Sequence, residues 1–167
     1  MIKAVLFDLD LTLIASAEAE PLRRARRWSD VHAMVPRLLP YEGVHELLAA
    51  VRSSGLKYGI VTSAPRAYAE RVAKHWRWDV DVVVGYHDTQ RRKPAPDPIN
   101  HALAAISIAP ANAMYVGDHP DDITAARAAG VLSTAACWGA LDHSALQRSG
   151  PSHIAASVAE LRQLLGL

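Results

Sequence analysis

Two carboxylates stand two positions apart in the stretch AVLFDLDLTLI, residues 4–14 of the chain. Asp8 and Asp10 end an apolar run that is typical of a buried strand, and Thr12 comes before the sequence turns apolar again. Repulsion between the carboxylates and loss of hydration both oppose this placement unless a cation lies between the side chains. The motif therefore predicts either a cation site or a solvated strand end.

Further polar side chains stand at the ends of later apolar segments. They are Thr62 and Ser63 after KYGIV, Lys93 in RRKPAPDPI, Asp118 after AMYVG, and Asp121 and Asp122 in the turn that follows. Each has an ordinary explanation, because hydroxyls cap helices, lysines lie on surfaces and carboxylates favour helix N-termini. In open parallel α/β sheets, however, ligands bind beyond the carboxyl ends of the strands. The joint order of these residues therefore predicts one site.

The elements that must carry these residues alternate between strands and helices. Strands are predicted at 3–9, 57–63, 81–85, 113–117 and 131–138, and helices at 43–55, 65–76, 96–108, 119–130 and 157–167. This alternation indicates βαβ units, a mostly parallel sheet and helices on both faces. We predict an α/β fold, a Rossmann-like three-layer sandwich with a mostly parallel central sheet, formed by a single domain over residues 1–167.

One segment, residues 15–42, interrupts this alternation. It contains a predicted helix with four arginines, Arg23, Arg24, Arg26 and Arg27, and then two prolines. The segment is too short for a second domain, so we predict a small helical insert near the carboxyl end of strand 1. The arginines could bind a second anionic group of a substrate, although a solvated helix face is the plainer interpretation.

Composition narrows the class of protein. The chain has 18 Lys and Arg against 17 Asp and Glu, so no global basic field argues for a nucleic-acid partner. A single cysteine, Cys137, excludes an internal disulfide and is compatible with a reducing compartment. No apolar run approaches membrane-spanning length. We expect a cytoplasmic protein with no membrane partner, for which nucleic acid could only be a substrate.

Four motifs resemble those of the haloacid dehalogenase superfamily, in its phosphatase branch. The motif DLDLT (8–12) matches Asp-x-Asp-x-Thr, Thr62 ends YGIVT, Lys93 opens KPAPDP, and GDHPDD (117–122) matches Gly-Asp followed by three residues and Asp. The resemblance covers residues 3–140. Many relatives have Gly after the second aspartate where this chain has Leu11, so we expect the turn here to keep ordinary backbone angles.

The resemblance implies a Mg2+ site. Asp8 and Asp118 would provide side-chain oxygens and Asp10 its backbone carbonyl, while Asp122 would orient Lys93 or a water of the metal. Hard oxygen ligands of this kind suit Mg2+, which usually binds one or two carboxylates together with substrate phosphate.

The resemblance also implies phosphoryl transfer by four catalytic residues. Asp8 would attack phosphorus and form an aspartyl-phosphate, while Thr62 and Lys93 bind the phosphoryl oxygens. Asp10, protonated at the start, would protonate the leaving oxygen and later take a proton from water. A non-catalytic phosphate-sensing module and a phosphotransferase remain the alternatives.

Four further residues are predicted to contact the substrate: Thr12, Ser63, Arg92 and His119. Thr12 is also expected to position Asp10, and His119 could equally cap the helix that follows it.

The spacing of the motifs leaves little room for a cap over the site. Asp8 and Thr62 are 54 positions apart, which leaves under thirty residues beyond the core elements, and the 31 positions from Thr62 to Lys93 hold only one helix and one strand. We expect a comparatively open site, which suits a macromolecular phosphate ester unless another subunit covers it. A small phosphorylated metabolite remains open, as does the oligomeric state.

Overall fold

The computed structural model describes residues 1–167 and contains one six-stranded sheet. Its strands are β1 (Ala4–Phe7), β2 (Lys57–Val61), β3 (Val82–Val84), β4 (Ala113–Gly117), β5 (Leu132–Ala136) and β6 (His153–Ala155). They are ordered β3-β2-β1-β4-β5-β6, and every neighbouring pair is parallel. The predicted α/β fold with a parallel sheet is confirmed. Strands β2 and β3 lie on one side of β1, and β4, β5 and β6 lie on the other. The topological switch point is therefore between β1 and β4, and sheets of this kind bind ligands in the crevice at that point.

Eight α-helices connect or flank the strands. They are α1 (Glu20–Arg24), α2 (Trp28–Met34), α3 (Val44–Ser53), α4 (Arg66–His75), α5 (Asp97–Ala105), α6 (Pro120–Ala129), α7 (His143–Arg148) and α8 (Val158–Leu164). The longest helices have ten residues, so none of them could cross a membrane. All ten predicted strands and helices are present, whereas α7 and β6 were not predicted. Both are too short to carry a clear apolar period.

The core lies on both faces of the sheet. Side chains alternate along the central strand β1, so Val5 and Phe7 pack under α3, α4 and α8, while Ala4 and Leu6 pack under α5 and α6. All four residues are fully buried, as expected of a strand that is covered on both sides. Packing on both faces thus holds β1 in the middle layer, and the polar residues that follow it begin at Asp8.

The insert between β1 and α3 packs on the larger of these two cores. Its residues Val31, Val35 and Leu38 are buried there, and α2 contacts α4. Helices α1 and α2 are therefore fastened to the same core as the sheet, beside the carboxyl end of β1.

Candidate active site

Three carboxylates meet where β1 and β4 end. Asp8 follows β1 directly, Asp118 follows β4, and Asp122 lies in the first turn of α6. One oxygen from each lies within 4.8 Å of the others. The three residues are 8%, 9% and 2% exposed. The parallel pairing of β1 with β4 is what brings these distant parts of the chain together.

Lys93 reaches this cluster from the loop between β3 and α5. Its ammonium donates to Asp8 Oδ1 at 2.8 Å and to Asp122 Oδ1 at 2.6 Å, and its side chain is 5% exposed. It also lies 2.9 Å from the hydroxyl of Tyr115 and 3.2 Å from the carbonyl oxygen of Val61. Burial alone would lower the pKa of Lys93, but Asp122 and Asp8 outweigh that effect and raise it, so the residue is a fixed cation.

One ammonium does not neutralise three carboxylates. Burial raises the pKa of Asp8 to about 7, with Asp122 adding to the shift and Lys93 opposing it. Burial and the neighbouring Asp8 raise the pKa of Asp118 to about 8. The cluster is therefore electrostatically unfavourable without a further cation. Buried hard oxygen donors that carry excess negative charge fit Mg2+, so the residues present suit the ion that the resemblance implies.

Asp122 is held by the start of α6. Its Oδ2 accepts a hydrogen bond from the backbone N–H of His119 at 3.1 Å, and Nδ1 of His119 accepts one from the N–H of Asp121 at 3.2 Å. A Cβ at Gly117 would collide with the Asp122 carboxylate, so the approach requires glycine there. Asp122, and not Asp121, therefore joins the cluster.

The Asp10 side chain has different partners. Its Oδ1 accepts a hydrogen bond from the hydroxyl of Tyr68 at 2.9 Å and pairs with the guanidinium of Arg23. Its carboxylate is not among the clustered oxygens, and the ligand role implied for Asp10 uses only its backbone carbonyl. The proton transfer that the resemblance implies for Asp10 stays a prediction.

Thr12 corrects one prediction. It is fully buried, so it cannot contact a substrate in the cavity. Its hydroxyl donates to Asp118 Oδ1 at 2.8 Å, so it positions Asp118 and not Asp10. The backbone carbonyl of Thr12 in turn accepts a bond from Nε1 of Trp138 at 2.9 Å, which ties the loop after β1 to the loop after β5.

Arg92 donates hydrogen bonds to backbone carbonyls of its own loop. Its Nε donates to the carbonyl of Tyr86 at 3.1 Å and its Nη1 to that of Gln90 at 2.7 Å, while the guanidinium lies 4.2 Å from the centre of the Tyr86 ring. The neighbouring Lys93 enters the site, and Arg92 turns away to satisfy loop carbonyls. It is not among the residues that line the cavity, and its contact with a substrate stays a prediction.

Leu11 also departs from expectation. Its φ is +63°, in the left-handed region that favours glycine, whereas ordinary angles were predicted. The chain reverses here, with Leu11 N–H donating to Ile14 O at 2.9 Å and Leu13 N–H to Leu9 O at 2.9 Å. For a residue other than glycine this conformation costs about 1–2 kcal/mol. Burial of the leucine side chain offsets part of that cost.

The cavity above the cluster has a volume of about 600 Å3. Thr62, Ser63 and His119 line it, as do Asp8, Asp10 and Lys93. The Thr62 hydroxyl oxygen accepts a bond from Ala64 N–H at 3.0 Å, which leaves its hydrogen free to donate to a ligand. Substrate contacts by these residues stay predictions.

Residues of the insert and of the segment before α7 also line the cavity. Glu20, Arg23 and Trp28 of the insert line it, as does Leu141, which is 79% exposed and lies just before α7. Four of the five insert arginines pair with carboxylates, in Arg23–Glu20, Arg24–Glu20, Arg27–Asp30 and Arg37–Glu18. The roles of Tyr68 and Tyr115 were missed, because each lies in an apolar pattern that indicates only core packing.

The fold and the site together define an α/β protein with an acidic, lysine-containing centre at the switch point of a parallel sheet. The family model for the haloacid dehalogenase-like hydrolases matches residues 15–136, and the chain belongs to this family. The resemblance predicted from four motifs is confirmed.

Curated relatives are phosphatases by name. The chain is 33% identical over 159 residues to the N-acetylmuramic acid 6-phosphate phosphatase of Pseudomonas aeruginosa, covering 93% of this chain and 66% of that protein. It is 38% identical over 106 residues to a phosphoglycolate phosphatase of Xylella fastidiosa, covering 62% and 46%. The chain thus spans about half to two thirds of the length of these relatives.

A solved structure shares the fold. The haloacid dehalogenase-like family hydrolase SP0104 of Streptococcus pneumoniae superposes with a TM-score of 0.81 at 21% identity, covering 99% of this chain and 98% of that one.

Proposed function

We propose that the protein is a Mg2+-dependent phosphatase that hydrolyses a phosphate monoester through an aspartyl-phosphate intermediate. One observation carries this proposal: the Lys93 ammonium lies 2.8 Å from Asp8 Oδ1, beside two further carboxylates within 4.8 Å of Asp8. A nucleophilic carboxylate, a fixed cation and a metal-binding donor set are the groups that transfer of a phosphoryl group requires. The phosphatase names of the relatives support the same reaction class.

Asp8 and Asp118 would hold Mg2+ by their side chains and Asp10 by its backbone carbonyl. When bound, the ion supplies positive charge that offsets the repulsion between the Asp8 carboxylate and an anionic phosphate. Asp122 keeps Lys93 in place through their 2.6 Å contact. Thr12 keeps Asp118 in place in the same way.

The chain's own residues divide the reaction into two steps. An oxygen of Asp8 bonds to phosphorus while the bond from phosphorus to the leaving oxygen breaks, and Asp10 gives that oxygen a proton. Asp10 then takes a proton from the water that hydrolyses the aspartyl-phosphate. Lys93 and the Thr62 hydroxyl bind the phosphoryl oxygens as charge shifts among them.

The substrate class follows from the relatives and the cavity. Two relatives are named for phosphorylated small molecules, and a cavity of about 600 Å3 has room for such a molecule. A small phosphorylated metabolite is therefore favoured over the macromolecular ester that an open site suggested.

Release of inorganic phosphate from a panel of phosphorylated metabolites, with Mg2+ and with EDTA, tests this proposal. We expect Mg2+-dependent turnover that Asp8→Asn abolishes and that Asp79→Asn, an exchange at an exposed carboxylate outside the cavity, leaves intact. Appreciable turnover by Asp8→Asn would exclude Asp8 as the nucleophile. Failure of the unaltered protein to release phosphate from any ester would reject the phosphatase.

A further inference from the structure

Two side chains hold the carboxylate of Asp10 at its Oδ1 oxygen. Oδ1 accepts the Tyr68 hydroxyl of α4 at 2.9 Å and contacts the Arg23 guanidinium of α1. The Tyr68 hydrogen bond and the Arg23 ion pair are both made to Oδ1, and Asp10 lines the cavity. Arg23 and Tyr68 are 45 positions apart in the sequence and lie on different helices, so Asp10 is held from two directions.

Both anchoring residues are themselves fixed. Tyr68 is fully buried, and its ring packs against Trp28 at 5.8 Å and is stacked with His32 at 6.2 Å, measured between ring centres. The Arg23 side chain is 11% exposed, and its Nη2 contacts Glu20 Oε2 at 2.5 Å. Its Nη1 also donates to the Ser16 hydroxyl at 3.2 Å. Anchors that are locked in this way limit the side-chain rotations of Asp10.

We propose that Arg23 and Tyr68 are positioning residues that hold Oδ1 of Asp10 so that Oδ2 transfers the proton. This inference rests on the proposed phosphatase reaction. In that reaction the proton on Oδ2 passes to the leaving oxygen as its bond to phosphorus breaks. Oδ2 later takes a proton from the water that attacks the aspartyl-phosphate.

In this proposal the insert of residues 15–42 positions Asp10 instead of covering the site. It is too short to enclose a substrate, yet α1 delivers Arg23 and α2 delivers the Trp28 ring that packs on Tyr68. A carboxylate held in one orientation has less conformational freedom to lose in each proton transfer, and displacement of a catalytic group by about 1 Å can reduce a rate about 100-fold.

Leaving groups of different acidity test the proposal. Tyr68→Phe and Arg23→Gln should lower kcat/KM for an alkyl phosphate by about 10- to 100-fold, since its alkoxide must be protonated as it departs. For p-nitrophenyl phosphate, whose phenolate departs without a proton, the loss should stay below about threefold. Tyr58→Phe and Arg27→Gln remove the same groups outside the cavity and should leave both substrates unaffected.

A double-variant cycle separates positioning from general damage to the fold. In an Asp10→Asn background, Tyr68→Phe should cause no further loss with the alkyl phosphate. Equal losses on both substrates, or an undiminished loss in that background, would overturn the proposal. Tyr68→Phe removes one hydroxyl only and carries the test alone if circular dichroism shows that Arg23→Gln does not fold. Unaltered protein that releases no phosphate from either ester would instead reject the phosphatase reaction and this proposal with it.

Discussion

Replacing Asp118 by Asn should stabilise the metal-free protein although it should abolish catalysis. Asp118 contributes one of three clustered carboxylates that have a single buried cation between them, Lys93. The amide oxygen of an asparagine can still accept the 2.8 Å hydrogen bond from the Thr12 hydroxyl. The exchange therefore removes charge with little change in shape or in hydrogen bonding at the oxygen that Thr12 contacts.

The size of the effect follows from geometry and from the pKa shift. Two unit charges 4.8 Å apart repel by about 3 kcal/mol at an effective dielectric constant of about 20. A rise in the pKa of Asp118 from 3.8 to about 8 corresponds to about 4 kcal/mol at neutral pH as an upper limit, at about 1.4 kcal/mol for each pKa unit. Because the wild-type cluster can relax and retain a proton, we expect a gain of about 2 kcal/mol, or about 4–8 °C in Tm for a chain of this size.

The gain should depend on pH with a definite sign. The pKa of Asp118 is raised in the fold, so the native protein keeps a proton that the unfolded chain releases, and stability is lost as the pH rises from about 4 to about 8. The advantage of Asp118→Asn should therefore be small near pH 5 and largest near pH 8. Thermal unfolding in EDTA at several pH values measures it, with Asp121→Asn, outside the cluster, as the control. An Asp118→Asn protein no more stable than the wild type near pH 8 would refute the electrostatic argument.

Three further predictions concern the same cluster. Lys93→Met should abolish phosphate release and destabilise the fold by about 3–5 kcal/mol in urea unfolding, because Asp8 and Asp122 lose their buried partner. Mg2+ should raise Tm more near pH 8 than near pH 5, since it competes with protons on carboxylates whose pKa values are raised to about 7 and about 8. Gly117→Ala should destabilise the protein by about 1–3 kcal/mol and impair activity, because its Cβ displaces the Asp122 carboxylate.

The strands, the helices and the acidic cluster could be predicted from the sequence, because all of them depend on local patterns. Apolar runs alternating with amphipathic stretches indicate a parallel sheet, and residues that directly follow its strands must meet at one edge. Asp8 and Asp118 directly follow β1 and β4, so their meeting follows from strand pairing alone. The same strand-end rule placed Lys93 near the site, but its role came from the resemblance, because a loop lysine has no local pattern that aims it inward.

The directions of side chains in loops could not be predicted in this way. Thr12 and Arg92 stand beside site residues in sequence, yet one is buried against Asp118 and the other turns toward loop carbonyls. Which hydrogen-bond partner such a side chain takes depends on elements far along the chain. The positive φ of Leu11 has the same origin, since the turn is set by the bonds that close it and not by the preference of leucine.

The spacing of Asp8 and Asp10 raised the question of which cation separates them, and the structure answers it with two. Lys93 contacts Asp8 and Arg23 contacts Asp10, so each carboxylate of the motif has a positive partner from a different segment. Lys93 also pairs with Asp122, so three clustered carboxylates share one ammonium and two negative charges are left over when all four groups are ionised. Two excess negative charges correspond to the charge of one divalent ion. The excess of negative charge that supports the proposed metal site therefore arises from the pairing of β1 with β4, and a chain with only the first motif would not have it.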